Sequence, residues 1–375
     1  MYDGGSAAPT VTRLELRDFR NYEHLDLDVP GGLVVVTGPN GAGKTNLIEG
    51  LFFGCTGASP RSSNERELVR RGAALTRVQV DTEDHGGGHR IEVGFEPGEA
   101  KRLRVDGAAV EGLATVEVRP LMSVFLPERL ELVKGAPALR RAHLDRLVAA
   151  LWPARRETRA AYSRALAQRN ALLGRIRGGA GAADALDAWD AELARQGMRV
   201  MEDRAEAVRG LEEPFENLAG RLGLPAQAQV RYRPRSAASD ADGLASELLD
   251  RRAADLGRGF TAHGPHRDEL TLSLGGVSLR AYGSQGQQRV ALLALLFAER
   301  ELLASRRGRA PLMLLDDVMS ELDSDRRELL ADLLRAGGQA IVTATEAQHV
   351  PGVTEAELVE VRDGAARSSA PAGIR

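Results

Sequence analysis

The stretch TGPNGAGKTN, residues 37–46, lies between the apolar run LVVV (33–36) and the segment LIEGLFFG (47–54). A buried strand that runs through a glycine-rich turn into a helix is the setting of a phosphate-binding loop. Gly38, Gly43, Lys44 and Thr45 fill the pattern G-x-x-x-x-G-K-[ST]. The glycines let the backbone turn tightly and aim successive N–H groups inward as an anion nest, and the following helix adds the partial positive charge of its N-terminus. Gly38, Pro39, Asn40, Gly41, Ala42, Gly43, Lys44, Thr45 and Asn46 are therefore the candidate cradle for ATP. Lys44 would reach the β- and γ-phosphates and Thr45 a Mg2+ ion.

Such a loop needs a carboxylate on a second strand. LMLLDD (312–317) supplies four apolar residues running into Asp316 and Asp317. Asp316 is the candidate for holding the metal together with Thr45, and Asp317 for orienting or deprotonating the attacking water. Lys44, Asp316 and Asp317 form the candidate catalytic set. The two halves stand at opposite ends of the chain, so the sheet that carries them is expected to be split by an insertion.

The 375 residues are 43% hydrophobic, enough for a large core and about two domains. No apolar run approaches the roughly 18–20 residues of a membrane span, and MYDGGSAAP has neither the basic nor the apolar part of a leader. These features predict a cytoplasmic protein with no membrane partner. The single cysteine, Cys55, excludes an internal disulfide and reads as a small buried hydrophobe. Net charge is −3, and only Lys44, Lys101 and Lys134 of the 50 basic residues are lysines, so a lysine at a motif position is not compositional noise. Aromatics make up 4%, too few for base-stacking platforms.

Periodicity predicts strands in VTRLELRDF and GLVVVTG, and further strands over 76–118. Helical spacing takes over at 138–151, 154–177 and 184–222, with the breaker GGAGAA (178–183) joining the last two into a hairpin. At about 1.5 Å per residue the arm 154–177 would reach about 36 Å, far short of a long coiled coil. RYRPRSAASDADG (231–243) reads as a loop or partly disordered segment, TLSLGGVSLRAY as a hairpin, 287–305 as a helix, PLMLLDD as a buried strand, SDRRELLADLLRA as a helix and QAIVTAT as a buried strand. The first nine residues and the tail from Gly364 are expected to be disordered. The fold class is α/β: a discontinuous head, 1–118 and 258–375, interrupted by a mainly helical lobe, 119–257.

YGSQGQQR (282–289) opens an apolar helix upstream of Asp316, and a small hydroxyl, a glycine and amides there form a second anion-binding tip. Ser284, Gln285, Gly286 and Gln287 resemble the signature of ABC-type ATPases, and SELD (320–323) resembles their D-loop. The resemblance implies a tip that faces away from its own phosphate loop and completes the nucleotide site of another subunit, hence an ATP-dependent homodimer. RDFRNYEHLDLDVP (17–30), PERLELVKGAPALRRAHLD (127–145) and GPHRDEL (264–270) narrow the likeness. With the signature and LLDDVMSELD they resemble, in order along nearly the whole chain, the bacterial RecF family of SMC-like ABC ATPases. That resemblance implies weak DNA-stimulated ATP hydrolysis, ATP-dependent DNA binding, work beside RecR and RecO, and loading of RecA at gaps and stalled forks.

The chain departs from the ABC pattern at several positions. No glutamine lies between Gln79 and Gln168, and SVFLPER occupies the place of the glutamine loop, with Pro127 and Glu128 as stand-ins. The residue after the metal carboxylate is Asp317 rather than glutamate, consistent with slow turnover. The switch histidine is missing, which leaves Thr343 or Thr345 for its role, and His143 stands where an aromatic is expected. Arg20, Asn21 and Tyr22 are candidates for adenine or ribose contact, with a solvated loop as the other reading. His263, His266, Arg267 and Asp268 read either as a head surface or as a hydrogen-bonded cluster, and no second His or Cys group beside them supports a metal site.

From Arg129 to Arg177 there are 12 basic residues against Glu131, Asp145 and Glu157, a local +9 that a phosphate backbone would see. Arg140, Arg141, Arg155, Arg156 and Arg159 are the candidate DNA contacts, without base reading; a solvated helix face is the bland alternative. A GTPase is disfavoured because neither Lys101 nor Lys134 follows an asparagine, as N-K-x-D requires. A transporter ATPase subunit, another SMC-like ATPase and a small-molecule kinase are the remaining alternatives. An ATP-gated clamp is favoured over a motor.

Overall fold

The computed structural model describes residues 8–62 and 64–369; the expected disorder of residues 1–7 and 370–375 lies outside the described residues. In chain order the elements are β1 (Thr10–Phe19), β2 (Tyr22–Asp28), β3 (Leu33–Thr37), α1 (Lys44–Thr56), β4 (Thr76–Asp84), β5 (Gly87–Phe95), β6 (Arg102–Val105), β7 (Ala108–Ala109) and β8 (Met122–Phe125). There follow α2 (Glu131–Lys134), α3 (Pro137–Leu151), α4 (Arg156–Arg177), α5 (Leu186–Arg221), β9 (Ala228–Arg233), α6 (Ala241–Asp250), α7 (Arg252–Arg258), β10 (Glu269–Leu274), β11 (Val277–Ser278), α8 (Leu279–Tyr282) and α9 (Gln285–Arg307). The chain closes with β12 (Leu312–Leu315), α10 (Ser324–Arg335), β13 (Ala340–Ala344), β14 (Glu357–Arg362) and β15 (Ala365–Ser369). It divides into two compact units. One comprises the chain up to Arg129, Arg221–Gly223 and the chain from Arg300 onward; the other comprises Leu130–Gly220 and Leu224–Glu299.

The first unit holds two six-stranded sheets. One is antiparallel, in the order β2-β1-β4-β5-β6-β7; the other has the order β15-β14-β3-β13-β12-β8 and is parallel throughout except for its edge pair β14–β15. The central strands β3, β12 and β13 are almost continuously buried, as expected of a parallel sheet covered on both faces. Helix α1 touches both sheets. Its approach to the antiparallel sheet depends on Gly50 and Gly54, one helical turn apart: a Cβ on Gly54 would lie 2.5 Å from Val80 Cγ2, and one on Gly50 2.7 Å from Leu16 Cδ2. Gln339 ties β1 to the loop before β3, accepting the Val11 N–H at 2.8 Å and donating to the carbonyls of Val11 and Pro30. Cys55 is buried and unpaired, and burial pushes its thiol up to about 12.

The second unit is mainly helical, with the three-stranded sheet β11-β10-β9. Its helix pair, α4 of 22 residues and α5 of 36, is far too short for a long coiled coil. Arg169 is its buried centre, donating to Asp190 at 2.6 Å and to Asp255 and Thr261 at 2.8 Å each. The GPHRDEL segment is a second hub. Arg140 of α3 forms a bidentate pair with Glu269, Arg141 donates to the Asp268 carbonyl, and Arg204 of α5 donates to the Pro265 carbonyl. The Asp268 carboxylate accepts from Tyr232 and from the Arg235 N–H. His263, just before the segment, pairs with Glu247 at 2.5 Å, whereas Arg267 is exposed over the Phe260 ring, so the histidines and Asp268 are hydrogen-bonded inside the unit and Arg267 lies at its surface. His143, read without a role, bonds Glu299 at 2.5 Å inside this unit.

Within that hub the Tyr162 hydroxyl donates to His266 Nδ1 at 2.7 Å, and His266 Nε2–H faces the Thr261 carbonyl at 3.0 Å. Burial holds the imidazole down to about 4, with Arg267 and Arg141 adding to the effect. The unfolded chain protonates this histidine near pH 6.5 and the folded chain only near 4, so stability present above the first value is lost as pH falls through the window. The expected loss at pH 5 is about 2 kcal/mol relative to pH 7. Asp268, which burial raises, acts with the opposite sign at the acid end. Denaturant midpoints at pH 7 and pH 5 check this: His266→Gln should flatten the difference, and an unchanged slope in that variant would refute the assignment.

Three sequence expectations need correction. The N-terminal segment carries three strands rather than two, because YEHLDLD folds back on β1 with Leu25 opposite Leu16 and Leu27 opposite Leu14; its solvent face of Glu23, His24 and Asp26 hid the apolar alternation. The stretch 231–243 is a loop only over 234–240. Arg231–Arg233 ends β9, in register with β10, and Asp240 caps α6 by accepting the Gly243 N–H. The tail is ordered as far as Ser369, where β15 pairs with β14 through backbone bonds that need no apolar pattern. Among the described residues no helix is long and apolar enough to cross a membrane.

Candidate nucleotide site

Strand β3 delivers the phosphate loop at one edge of β13, and β12 delivers the two aspartates at the other. The loop has the backbone its glycines permit: φ is 150° at Gly38, 83° at Gly41 and 117° at Gly43. A side chain would destroy it, since a Cβ on Gly38 would lie 2.2 Å from the Val361 carbonyl oxygen and one on Gly43 2.6 Å from Asn21 Nδ2. Pro39, Asn40 and Gly41 are exposed at the tip. Lys44, 7% exposed, donates to the carbonyls of Gly38 at 2.7 Å and Pro39 at 3.1 Å. Burial lowers its pKa, and Asp317 and Asp316 work against that shift. A buried cation held by loop carbonyls fits a role in which a polyphosphate becomes its counter-charge.

Thr45 Oγ1 donates to Asp316 Oδ2 at 2.7 Å across 271 residues of sequence. The other carboxylate oxygen, Oδ1, accepts from Thr343 Oγ1 at 2.6 Å, and the same hydroxyl accepts the Asp317 N–H at 2.9 Å. Asp317 stands at φ 46°, left-handed for a non-glycine residue, and backbone strain of this kind collects where a side chain must be aimed for function. In the D-loop, Ser320 Oγ donates to the Asp317 carbonyl at 3.0 Å, while Asp323 caps α10. Thr345 approaches only His349, at 3.5 Å. Of the two threonines left open by the sequence, Thr343 therefore sits at the carboxylates.

The turn between β1 and β2 braces the loop from behind. Arg20 makes a bidentate pair, 2.8 Å to each oxygen, with Glu49 of α1, whose side chain is fully buried. Asn21 donates to the Ala42 carbonyl at 3.1 Å and accepts from Asn46 at 2.8 Å, and Tyr22 donates to the Gly43 carbonyl at 2.9 Å. Arg20 and Asn21, candidates for base or ribose contact, are thus engaged with the protein in this conformation and shape the cradle through it. Sequence reasoning missed Glu49, a carboxylate on an otherwise apolar helix face, and Arg61, which donates to Asn46 and pairs with Glu49 and Glu128. The carboxylate at position 49 in LIEGLFFG was the available signal. Glu128 itself follows β8, the strand beside β12, where the sequence placed a substitute for the glutamine loop.

In the second unit Ser284 and Gln287 form a reciprocal cap at the start of α9. Ser284 Oγ accepts the Gln287 N–H at 3.2 Å, and Gln287 Oε1 accepts the Ser284 N–H at 2.9 Å. Gln285 and Gly286 are exposed beside it. Of the arginines proposed for DNA, Arg140 is 2% exposed and saturated by Glu269 and main-chain carbonyls. It cannot meet a phosphate without unfolding its surroundings, which corrects the expectation. Arg155 is paired with Asp203 and Glu206 and stacks on Trp152, and Arg159 is paired with Asp145. Acids from outside the run, Asp190, Asp203 and Glu206 of α5, Asp255 of α7 and Glu269 of β10, answer much of the local +9. Arg141 is half-buried on the Asp268 carbonyl and Arg156 is half-buried.

Together the fold and the site define an ABC-type P-loop head of the SMC kind. The family model of the RecF/RecN/SMC N terminal domain matches residues 10–367. The Smc head domain of Pyrococcus furiosus, bound to the C-terminal domain of ScpA, matches with a TM-score of 0.58 at 17% identity over 96% of each chain, a likeness of fold alone. Within this class the chain belongs to the RecF family of DNA replication and repair proteins. It is 39% identical to the DNA replication and repair protein RecF of Roseiflexus castenholzii, covering 89% of this chain and 93% of that one. It is 36% identical to that of Streptomyces avermitilis, covering 94% and 98%. A solved structure of the recombination mediator protein RecF with ATP, in the RecFOR pathway, matches with a TM-score of 0.88 at 26% identity, over 99% of this chain and 100% of that one.

Proposed function

We propose that the chain is an ATP-gated DNA clamp of the RecF kind. It binds ATP with Mg2+, dimerises on it, engages DNA at gaps or stalled forks, and works with RecR and RecO toward loading RecA. The observation that carries this reading is the Thr45–Asp316 hydrogen bond, which brings the phosphate loop and the acidic strand end to one point. The likeness to a RecF structure with ATP supports it.

Bound at Thr45 and Asp316, the metal would neutralise charge on the β- and γ-phosphates. The chain's own residues do the rest: loop N–H groups and Lys44 hold the polyphosphate, Asp316 holds the metal side, and Asp317 orients water. Ser284 to Gln287 of a second copy would cap the site, so that slow hydrolysis removes the bridging charge and resets the clamp. For DNA contact the proposal now rests on Arg141, Arg155, Arg156 and Arg159. Exposed ion pairs such as Arg155–Glu206 are worth at most about 1 kcal/mol and can be exchanged for phosphate.

Sedimentation at micromolar protein tests the gate. Wild type should shift from monomer to dimer with ATP and Mg2+, and Ser284→Arg should remain a monomer while still binding ATP. A monomeric wild type under these conditions would refute the proposal.

A further inference from the structure

We infer that Thr343 is a positioning residue for both carboxylates: it holds Asp316 by the oxygen that Thr45 does not reach, and it fixes the backbone from which Asp317 projects. The inference rests on the nucleotide reading above and deepens it.

The argument begins with the inventory of one hydroxyl, which has a single proton to give. An amide N–H can only donate, so the bond from Asp317 N makes Thr343 Oγ1 an acceptor there. The hydroxyl proton is then directed to Asp316 Oδ1, at 2.6 Å. Thr343 is fully buried, and no solvent competes for either bond. Register explains the placement: on β13, Val342 pairs with Leu315 of β12 on one side and Val35 of β3 on the other, so the next residue lies beside Asp316.

Asp316 is held at both oxygens, by Thr45 and by Thr343. A metal held at this site would draw on a lone pair of the Thr45 hydroxyl, which keeps its proton for Oδ2. Thr343, holding Oδ1, would fix the rotation of the carboxylate and with it the direction in which Oδ2 is presented. Its second bond, to the Asp317 N–H, supports a residue at φ 46° that would otherwise relax and re-aim its carboxylate. One buried hydroxyl thus couples metal affinity to the placement of the hydrolytic group.

Outer-shell partners of metal ligands typically contribute 10- to 100-fold in affinity or activity. Thr343→Val keeps the branched shape and removes the hydroxyl; Thr343→Ser keeps the hydroxyl. Mn2+ binding in the presence of ATP, followed by electron paramagnetic resonance, and ATP affinity without metal are measured on both, with thermal midpoints of the nucleotide-free proteins. The expected result is that Thr343→Val weakens Mn2+ at least about tenfold, leaves metal-free ATP affinity unchanged and slows single-turnover hydrolysis, while Thr343→Ser stays within about threefold of wild type. Wild-type Mn2+ affinity in Thr343→Val overturns the proposal, and so does an equal defect in Thr343→Ser, because packing of the methyl group would then be the cause. If Thr343→Val does not fold, Thr343→Ala, which differs from Thr343→Ser by the hydroxyl alone, takes its place, and wild-type Mn2+ affinity there overturns the proposal equally. Absence of any metal-dependent ATP binding in the wild type would instead strike at the nucleotide reading itself.

Discussion

Asp317→Asn should bind ATP as wild type does, turn it over at least about a hundredfold more slowly and retain DNA longest, whereas Lys44→Met should fail to bind ATP and release DNA quickly. The two variants separate because their sites differ. Lys44 is buried with its ammonium on two loop carbonyls, and its loss leaves the phosphates without their principal counter-charge. Asparagine is the apt replacement at position 317, since it tolerates the left-handed φ of 46° there better than most residues; alanine would mix chemistry with strain. DNA dissociation in a chase experiment, with ATP and Mg2+ present, reads the outcome. A clamp holds tightest when stalled before hydrolysis. If Lys44→Met holds DNA as long as Asp317→Asn, gating by ATP is wrong.

Arg169→Met should destabilise the helical unit by about 3–5 kcal/mol. The guanidinium is fully buried between Asp190 and Asp255, which are themselves almost inaccessible. Removing it strands a carboxylate: Asp190 keeps Arg252 at 2.6 Å, whereas the Asp255 side chain is left, among the described residues, with the Ala262 N–H at 3.1 Å. Hydrogen exchange at the amides of α4 and α7 should lose protection a hundredfold or more, and Arg169→Met with Asp255→Asn should recover part of it. A loss below about 1 kcal/mol would show that the pair is not needed for stability, as some buried ion pairs are not.

The parts of this molecule that were legible in its sequence are those whose chemistry is contiguous. The loop 38–46, the aspartates at 316 and 317 and the long helices are local patterns, and the structure places them as read. What escaped was contributed by partners distant in sequence. Arg20 pointed to a nucleotide only as long as Glu49 was unseen. The basic run from Arg129 to Arg177 looked like a field of +9 because a count along the chain cannot include Asp203, Glu206 and Glu269, which the fold sets against it. Thr343 and Thr345 were equivalent on paper, and only the strand pairing separates them. Strand β2 was lost because its exposed face is charged, and β15 because a ladder of backbone bonds leaves no mark on hydropathy.

Strand β3 is synthesised before both of its neighbours in the sheet, β13 and β14, which are made from residues 340–362. Until those residues are made the phosphate loop hangs from a strand without its sheet partners, and the pocket cannot assemble. Closing that ladder costs speed, since distant pairings fold slowly, but it ensures that every copy able to grip a nucleotide has been translated past the strands at 340–362.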